Sequence, residues 1–480
     1  MSESLTAKTV KGVGWNSVDK ILNYGISFIV GIVLARLLSP SDYGLIGIVM
    51  IFISIFNTIL DGGLSTALIR KNDITDADYC TVFYTNIVLS FALTVILYLG
   101  APSIASFFNR VELIEVIRGI SVVLLINGFS VTQQAILTKR MDFKSQTIIS
   151  LISNVTSGVV GVVLAFCGYG VWALVFQQIV ARFLTTILLW VTNKWYPKLV
   201  FSKDSFTDLF NFSWKLLTSR LITSIWGRLY SAVIGKIYSP VSLGLFTRAE
   251  QYAHMFSSTI SDVVLKVSLP VMSSIQNEPD RLLYATRIII KETMFVTCFC
   301  MFFMAASAES LIYVLIGEEW MACVPFLQII CFNVIVNPLA YINENLLTVK
   351  GRSDKLLFVQ ILKVVFTIPP ILIGIFFNIY AMLISSSIIA WLSIILYTYY
   401  TEKYFGYSWK DQLKDISPSI ILSLVIGAIV YSINFLNISH FLIFLIQLSL
   451  GFLLLVMFGE LLKVKEYEYI KKIILSKIKK

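Results

Sequence analysis

Long runs of apolar residues, separated by short polar links, fill the chain from one end to the other. A bilayer core takes about 20 apolar residues per helix. On that measure the pattern predicts spans at 16–38, 43–69, 82–108, 117–138, 146–167, 170–192, 210–236 and 241–265. The series continues at 288–308, 322–348, 356–376, 379–401, 417–435 and 440–462. That makes fourteen, joined by links too short to hold a soluble domain. The run at 210–236 is unusually polar, and the one at 288–308 can be extended to Ile316.

One motif in this pattern occurs twice. Leu37-Leu38-Ser39-Pro40-Ser41-Asp42-Tyr43-Gly44-Leu45 returns as Ile237-Tyr238-Ser239-Pro240-Val241-Ser242-Leu243-Gly244-Leu245, and each copy closes one apolar run and opens the next. Proline lacks the amide donor and constrains the residue before it, so a Ser-Pro pair breaks a helix. Each copy therefore predicts a tight helical hairpin, with the glycine marking the close start of the following helix. Trp15 and Trp214 precede the two serines by 24 and 25 residues, and Arg36 falls on Lys236. Leu137-Thr138-Lys139-Arg140 with Asp142 resembles Leu347-Thr348 with Lys350, Arg352 and Asp354, each at the inner end of a fourth span. Two six-span halves that start on the same side are parallel repeats, related by an axis along the membrane normal. The expected organisation is a first lobe at 1–200, a second at 201–405, two extra spans at 406–462 and a basic tail at 463–480.

Composition agrees with the pattern. Soluble domains carry about 25% charged residues, whereas this chain is 14% charged and 57% hydrophobic, which leaves no water-compatible surface. The fold class is an all-α polytopic membrane protein. Lys8 and Lys11 precede a full span with no small-residue cleavage site, the pattern of a signal anchor. Cys80, Cys167, Cys298, Cys300, Cys323 and Cys331 show neither metal spacing nor a disulfide framework, and read as buried apolar residues.

Charge orients the spans. Of the 38 Lys and Arg residues, 28 fall on segments that alternate onto one side, and only Arg110, Arg118 and Lys236 fall on the other. The positive-inside rule then places both termini in the cytoplasm. The formal net charge of +10 faces the anionic inner leaflet and does not indicate nucleic acid as a partner.

Seven cations remain within spans: Arg36, Arg182, Lys215, Arg220, Arg228, Arg248 and Lys363. A charge at the bilayer centre costs roughly 2.5–3.5 kcal/mol even on the lenient insertion scale. Arg36 and Lys215 lie near span ends, where they can snorkel. Arg182 is near the middle of its span, and Arg220 and Arg228, eight apart, broadly share one helix face. Opposite them stand few acids at depth: Asp61, Glu250 and Glu344, with Asp262 near an inner end. Two readings stay open. The charges form structural ion pairs, or the net positive interior takes an anion, for which the planar arginine fork suits phosphate. Under the second reading the substrate-binding candidates are Arg36, Arg182, Arg220, Arg228, Arg248 and Lys363. Asp61, Glu250 and Glu344 are then candidates for coupling to a proton or sodium gradient, or arginine partners. The amides Gln133, Gln134, Gln177, Gln178, Asn333, Asn337, Asn343 and Asn345 serve interhelix hydrogen bonds or sugar hydroxyls. Asn337-Pro338 and Pro369-Pro370 interrupt two spans, as transporter helices do at cavities and moving elements.

The run Leu34-Ala35-Arg36-Leu37-Leu38-Ser39-Pro40-Ser41-Asp42-Tyr43-Gly44-Leu45, followed by Asp61-Gly62-Gly63-Leu64-Ser65-Thr66-Ala67-Leu68-Ile69, resembles the polysaccharide transporter family. These are the Wzx-type flippases and exporters of the multidrug/oligosaccharidyl-lipid/polysaccharide superfamily, and the likeness covers essentially the whole chain. The resemblance implies a MATE-like pair of six-helix lobes in a V with two extra C-terminal helices, in a bacterial cytoplasmic (inner) membrane. It implies transfer of an undecaprenyl-diphosphate-linked oligosaccharide, an O-antigen, capsule or exopolysaccharide repeat unit, from the cytoplasmic to the periplasmic leaflet. Membrane lipids, a polysaccharide polymerase and chain-length machinery are the implied partners, and no cofactor is implied. The resemblance carries over no individual substrate contact. A lipid II flippase and a multidrug/cation antiporter of the same superfamily are the alternatives, the antiporter requiring an acidic cavity. A membrane glycosyltransferase or polymerase would need a large outer loop with paired carboxylates. Glu309, Glu318 and Glu319 form no such pair, so no enzyme is expected.

Overall fold

The computed structural model describes residues 5–478, and every regular element among them is helical. Lys479 and Lys480 of the expected basic tail lie outside the described residues, as do the side chains of Lys8, Lys11, Lys266 and Lys477. In hydrocarbon no water can pair backbone N–H and C=O groups, so a spanning segment of this composition closes its bonds within itself as a helix.

The chain divides into two compact units, Met1–Gly244 and Leu245–Lys480. Unit 1 contains α1 (Leu5–Leu37), α2 (Pro40–Asp61), α3 (Leu64–Arg70), α4 (Asp76–Phe108) and α5 (Leu113–Lys139). It continues with α6 (Phe143–Phe166), α7 (Val171–Asn193), α8 (Lys203–Gly227), α9 (Leu229–Ile237) and the start of α10 (Pro240–Ser274). Unit 2 takes the rest of α10, then α11 (Pro279–Ala306), α12 (Ala308–Ile316), a 3-10 turn (Glu318–Cys323), α13 (Val324–Val334) and α14 (Asn337–Val349). It ends with α15 (Ser353–Phe366), α16 (Ile368–Phe376), α17 (Ile379–Phe405), α18 (Trp409–Ser432), α19 (His440–Leu461) and α20 (Lys465–Ile478).

Twelve helical stretches of described residues are long and apolar enough to cross a membrane. The two further spans expected at 210–236 and 241–265 are helical, as α8–α9 and α10, but fall outside that set. The reason is polarity. Asp204, Asp208, Lys215 and Arg220 lie on α8, and Arg248, Glu250, His254 and Asp262 on α10. The spans carrying Asn337-Pro338 and Pro369-Pro370 are each split in two, as proline predicts. A third break, at Gly62-Gly63, divides the expected 43–69 span. Among the cysteines, Cys80, Cys298, Cys323 and Cys331 are buried, but Cys167 at the end of α6 is exposed. That departs from the buried reading, as does the half-buried Cys300; α6 ends at Phe166, just before Cys167.

The repeated hairpin has a closer geometry than a helix break. Ser39 caps α2: its hydroxyl accepts from the Asp42 amide at 3.3 Å while the Asp42 carboxylate accepts from the Ser39 amide at 3.0 Å. Pro40 opens the helix where a missing amide donor costs nothing. In the second copy Ser239 accepts from the Ser242 amide at 3.1 Å. The two copies meet. A Cβ on Gly44 would stand 1.7 Å from the Pro240 carbonyl oxygen, and one on Gly244 would stand 1.9 Å from that of Pro40. Each glycine is thus a notch for the other hairpin's proline backbone.

Contacts inside each unit also repeat at a spacing of about two hundred. In unit 1 the Trp190 indole donates to the Phe129 carbonyl at 3.0 Å and the Thr186 hydroxyl to that of Ile126 at 3.4 Å. In unit 2 Trp391 donates to the Phe332 carbonyl at 3.2 Å and Ser387 to that of Ile329 at 3.4 Å. A tryptophan and a hydroxyl side chain thus tie corresponding helices within each unit.

Gly44→Ala and Gly244→Ala place a methyl group inside the facing backbone. Each is expected to cost about 1–3 kcal/mol by overpacking, read as a lower melting temperature in detergent. Unchanged melting in both variants would contradict the close crossing.

Candidate functional site

In unit 1 the site grows out of the Gly62-Gly63 break. Asp61 is the last residue of α2, and Gly62 closes the helix in a left-handed conformation, its amide donating to the Thr58 carbonyl at 3.2 Å. Gly63 is also left-handed, at φ 75°. It has to be small as well, because a Cβ there would approach the Ser213 carbonyl oxygen of α8 to 2.9 Å. This contact draws α8 across the break. Two turns further along α8, Arg220 reaches back to the Thr66 hydroxyl of α3 at 3.4 Å. Arg182 comes from α7, which packs on α2. The charges of Arg182 and Arg220 both act on Asp61, and all three side chains keep exposed surface. Two guanidinium groups and one carboxylate leave a net positive, open site.

The other candidates of unit 1 stand apart from this group along the chain. Arg36 is exposed at the end of α1, beside the first hairpin. Arg228 is exposed at the junction of α8 and α9, so the helix that carries Arg220 is interrupted at Arg228 itself. A shared helix face assumes an unbroken helix between them, and here α8 runs only to Gly227. Lys236, the counterpart of Arg36, donates to the Phe107 carbonyl and lies 4.7 Å from the Phe107 ring centroid.

In unit 2 Arg248 is packed rather than open. It is 5% exposed, donates to Gln251 at 2.6 Å, and lies 5.9 Å from the centroid of the Trp320 ring. Glu250 is half-buried on the same helix. Glu344 and Lys363, independent candidates in the sequence, belong to one hydrogen-bonded cluster with Gln360 and Tyr397. Sequence reasoning missed the last two. Gln360 and Lys363, one turn apart in an apolar helix, were the available signal, whereas Tyr397 looks like any other core aromatic.

A second missed group is structural. Asp415 of α18 accepts from Arg287 of α11 through both oxygens, at 2.7 and 3.1 Å, and pairs with Lys291 at 3.2 Å. The Tyr407 hydroxyl donates to it at 2.9 Å, and burial followed by that carboxylate pushes the hydroxyl well above the usual tyrosine range. Several of the amides take the interhelix role. Asn193 donates to Gln133 at 2.8 Å, Gln412 to Asn343 at 2.9 Å and Asn345 to Ser268 at 2.7 Å. Asp415→Asn removes the charge that holds Arg287 and Lys291. The expected cost is on the order of 1–3 kcal/mol, seen as reduced thermal stability, and unaltered stability would deny that this cluster fastens α11 to α18.

The family model described as "Polysaccharide biosynthesis protein" matches residues 33–325 of the chain. Among curated proteins, the teichuronic acid biosynthesis protein TuaB of Bacillus subtilis is 25% identical over 353 residues, covering 73% of each chain. The succinoglycan biosynthesis transport protein ExoT of Rhizobium meliloti is 24% identical over 334 residues, covering 69% of this chain and 68% of that one. Among solved structures, the lipid II flippase MurJ in an inward closed conformation superposes with a TM-score of 0.75 at 15% identity, covering 94% of this chain and 98% of that one. At that identity the likeness is one of fold.

Proposed function

The chain belongs to the polysaccharide biosynthesis protein family, and from that membership we propose that it is a flippase for lipid-linked oligosaccharide. The substrate is an undecaprenyl-diphosphate-linked repeat unit, carried from the cytoplasmic to the periplasmic leaflet of a bacterial inner membrane by alternating access. Both termini lie in the cytoplasm, and no covalent chemistry is performed. One relative named for succinoglycan transport and another named for teichuronic acid biosynthesis support the substrate class. The basic segments on one side of the spans support the orientation.

The observation that carries this reading is the group at the α2 break. The charges of Arg182 and Arg220 both act on the Asp61 carboxylate, and each of the three side chains is exposed at its surface. A diphosphate offers oxygens spaced for the arginine fork and carries more charge than Asp61, so it competes with Asp61 for both cations. The glycan then occupies the polar space around the site while the polyprenyl chain stays in lipid. A cationic drug would meet net repulsion at the same place, which argues against the multidrug antiporter.

A lipid II flippase is the second reading, favoured by the likeness to MurJ over 94% of this chain. It uses the same lipid diphosphate, and only the attached glycan differs.

Arg182→Ala and Arg220→Ala, tested singly at normal protein level, are each expected to lower glycan export about tenfold, equivalent to about 1.4 kcal/mol, whereas Arg228→Ala, outside the group, is expected to leave export near the wild-type rate. Lipid-linked oligosaccharide should accumulate on the cytoplasmic side. Full export in both the Arg182 and Arg220 variants would overturn the site. Rescue of cells depleted of their lipid II flippase would favour the second reading.

A further inference from the structure

A stripe of polar residues runs along one face of α6. Gln146, Ser150 and Asn154 are four apart, and side chains at that spacing stand above one another on a helix. The exposed apolar side chains Ile148, Ile152, Val155 and Val159 occupy the opposite face, the one that suits lipid. Two other helices of unit 1 meet the stripe. On α5, Gln134 Nε2 donates to Gln146 Oε1 at 3.0 Å, and Gln146 Nε2 donates to the Thr138 hydroxyl at 3.1 Å. On α1, Asn23 Nδ2 donates to Ser150 Oγ and to Asp19 Oδ1, both at 2.9 Å. The Ser150 hydroxyl donates to the same Asp19 oxygen at 2.5 Å, and Asn154 Nδ2 donates to Asn23 Oδ1 at 2.6 Å. The stripe stops at Gly158, where a Cβ would stand 2.6 Å from the Val30 side chain of α1. From Gln146 to Asn154 it measures about 12 Å along the helix axis.

Interhelix bonding is the common use of such groups, and unit 1 contains a clear case of it. Asn193 and Gln133 join α7 to α5, and both residues are buried. The stripe on α6 is open instead. Gln134 is exposed, and Asp19, Asn23, Gln146, Ser150 and Asn154 are each half-buried. Among the described residues, the side-chain carbonyls of Gln134 and Asn154 donate to nothing and accept no hydrogen bond, although their amide nitrogens are engaged. A polar group left facing hydrocarbon is costly. The open side of the stripe therefore borders a space that takes water or a polar ligand.

We propose that this stripe is a sugar-binding track for the glycan end of the lipid-linked substrate, and that it takes neutral, hydroxyl-bearing sugars. The assignment rests on the transport reading above and extends it, because arginines that address a diphosphate leave the sugars unrecognised. Amides and hydroxyls donate and accept from one side chain, and so do sugar hydroxyls. The Asp19 carboxylate adds an acceptor among them. A few fixed polar groups of this kind set the orientation of a ligand. A track of about 12 Å has room for more than one sugar ring. On the orientation proposed above, this end of α6 is cytoplasmic, where the loaded lipid begins its transfer.

The test measures binding to the purified full-length protein in lipid nanodiscs. Two probes are compared: undecaprenyl diphosphate alone, and the same lipid carrying neutral hexoses. The wild-type protein is expected to bind the hexose-bearing lipid about tenfold more tightly, the effect of one or two net hydrogen bonds. Gln134→Leu and Asn154→Leu should each lower that preference about threefold and leave the binding of undecaprenyl diphosphate unchanged. Gln134 is exposed on α5, so its variant keeps the proposal testable if Asn154→Leu loosens α1. Equal wild-type affinity for the two lipids, or a full sugar preference in Gln134→Leu, would overturn the track and leave the arginine site standing. Variants that weaken both lipids alike would make the stripe structural and overturn the proposal. Failure of the wild-type protein to bind either lipid would overturn the transport reading, and the track with it.

Discussion

Hydrocarbon offers no hydrogen bonds, and nearly every feature of this protein answers to that constraint. The backbone closes its bonds within helices. Polar side chains left between helices have to satisfy each other. Asn193 with Gln133, Gln412 with Asn343 and Asp415 with Arg287, Lys291 and Tyr407 are three such solutions. The ionisable groups of greatest interest sit close to places where a helix stops. Asp61 precedes the Gly62-Gly63 break, Lys363 lies one turn before the end of α15, and Glu344 lies two turns into α14. At such places the helix frees backbone groups and neighbouring helices separate, so a charge can be kept without facing lipid.

The duplication explains how one scaffold holds two kinds of site. Trp190 and Trp391, with Thr186 and Ser387, make matching bonds to neighbouring helix backbones in the two units. The charges have diverged on that common frame. Unit 1 gathers two arginines and one acid in the open, whereas unit 2 separates one lysine from one acid by a buried tyrosine. A net positive open group suits a multivalent anion.

Much of this was legible along the chain, and the failures are instructive. Span positions were readable because bilayer thickness fixes helix length, and the Ser-Pro and Asn-Pro breaks because proline acts on its immediate neighbours. The Gly62-Gly63 break passed unnoticed because the apolar run continues through it. What keeps Gly63 a glycine is partly the backbone of Ser213, about 150 residues away. Arg248 and Arg182 were both candidates within spans, yet Arg248 is packed near Trp320 while Arg182 keeps exposed surface and its charge acts on Asp61.

The sequence by itself determined the membrane class, the places of the helices, the repeat and the stock of charges at depth. Each of those follows from local composition or from comparing one stretch with another. Tertiary structure alone decided that Gly44 and Gly244 accept each other's proline backbones. It alone decided that Asp61 shares Arg182 and Arg220, and that Tyr397 stands between Glu344 and Lys363. Those facts depend on the distance between helices far apart in the chain. A helix states which residues it carries, but which of them meet is settled only when its neighbours pack against it.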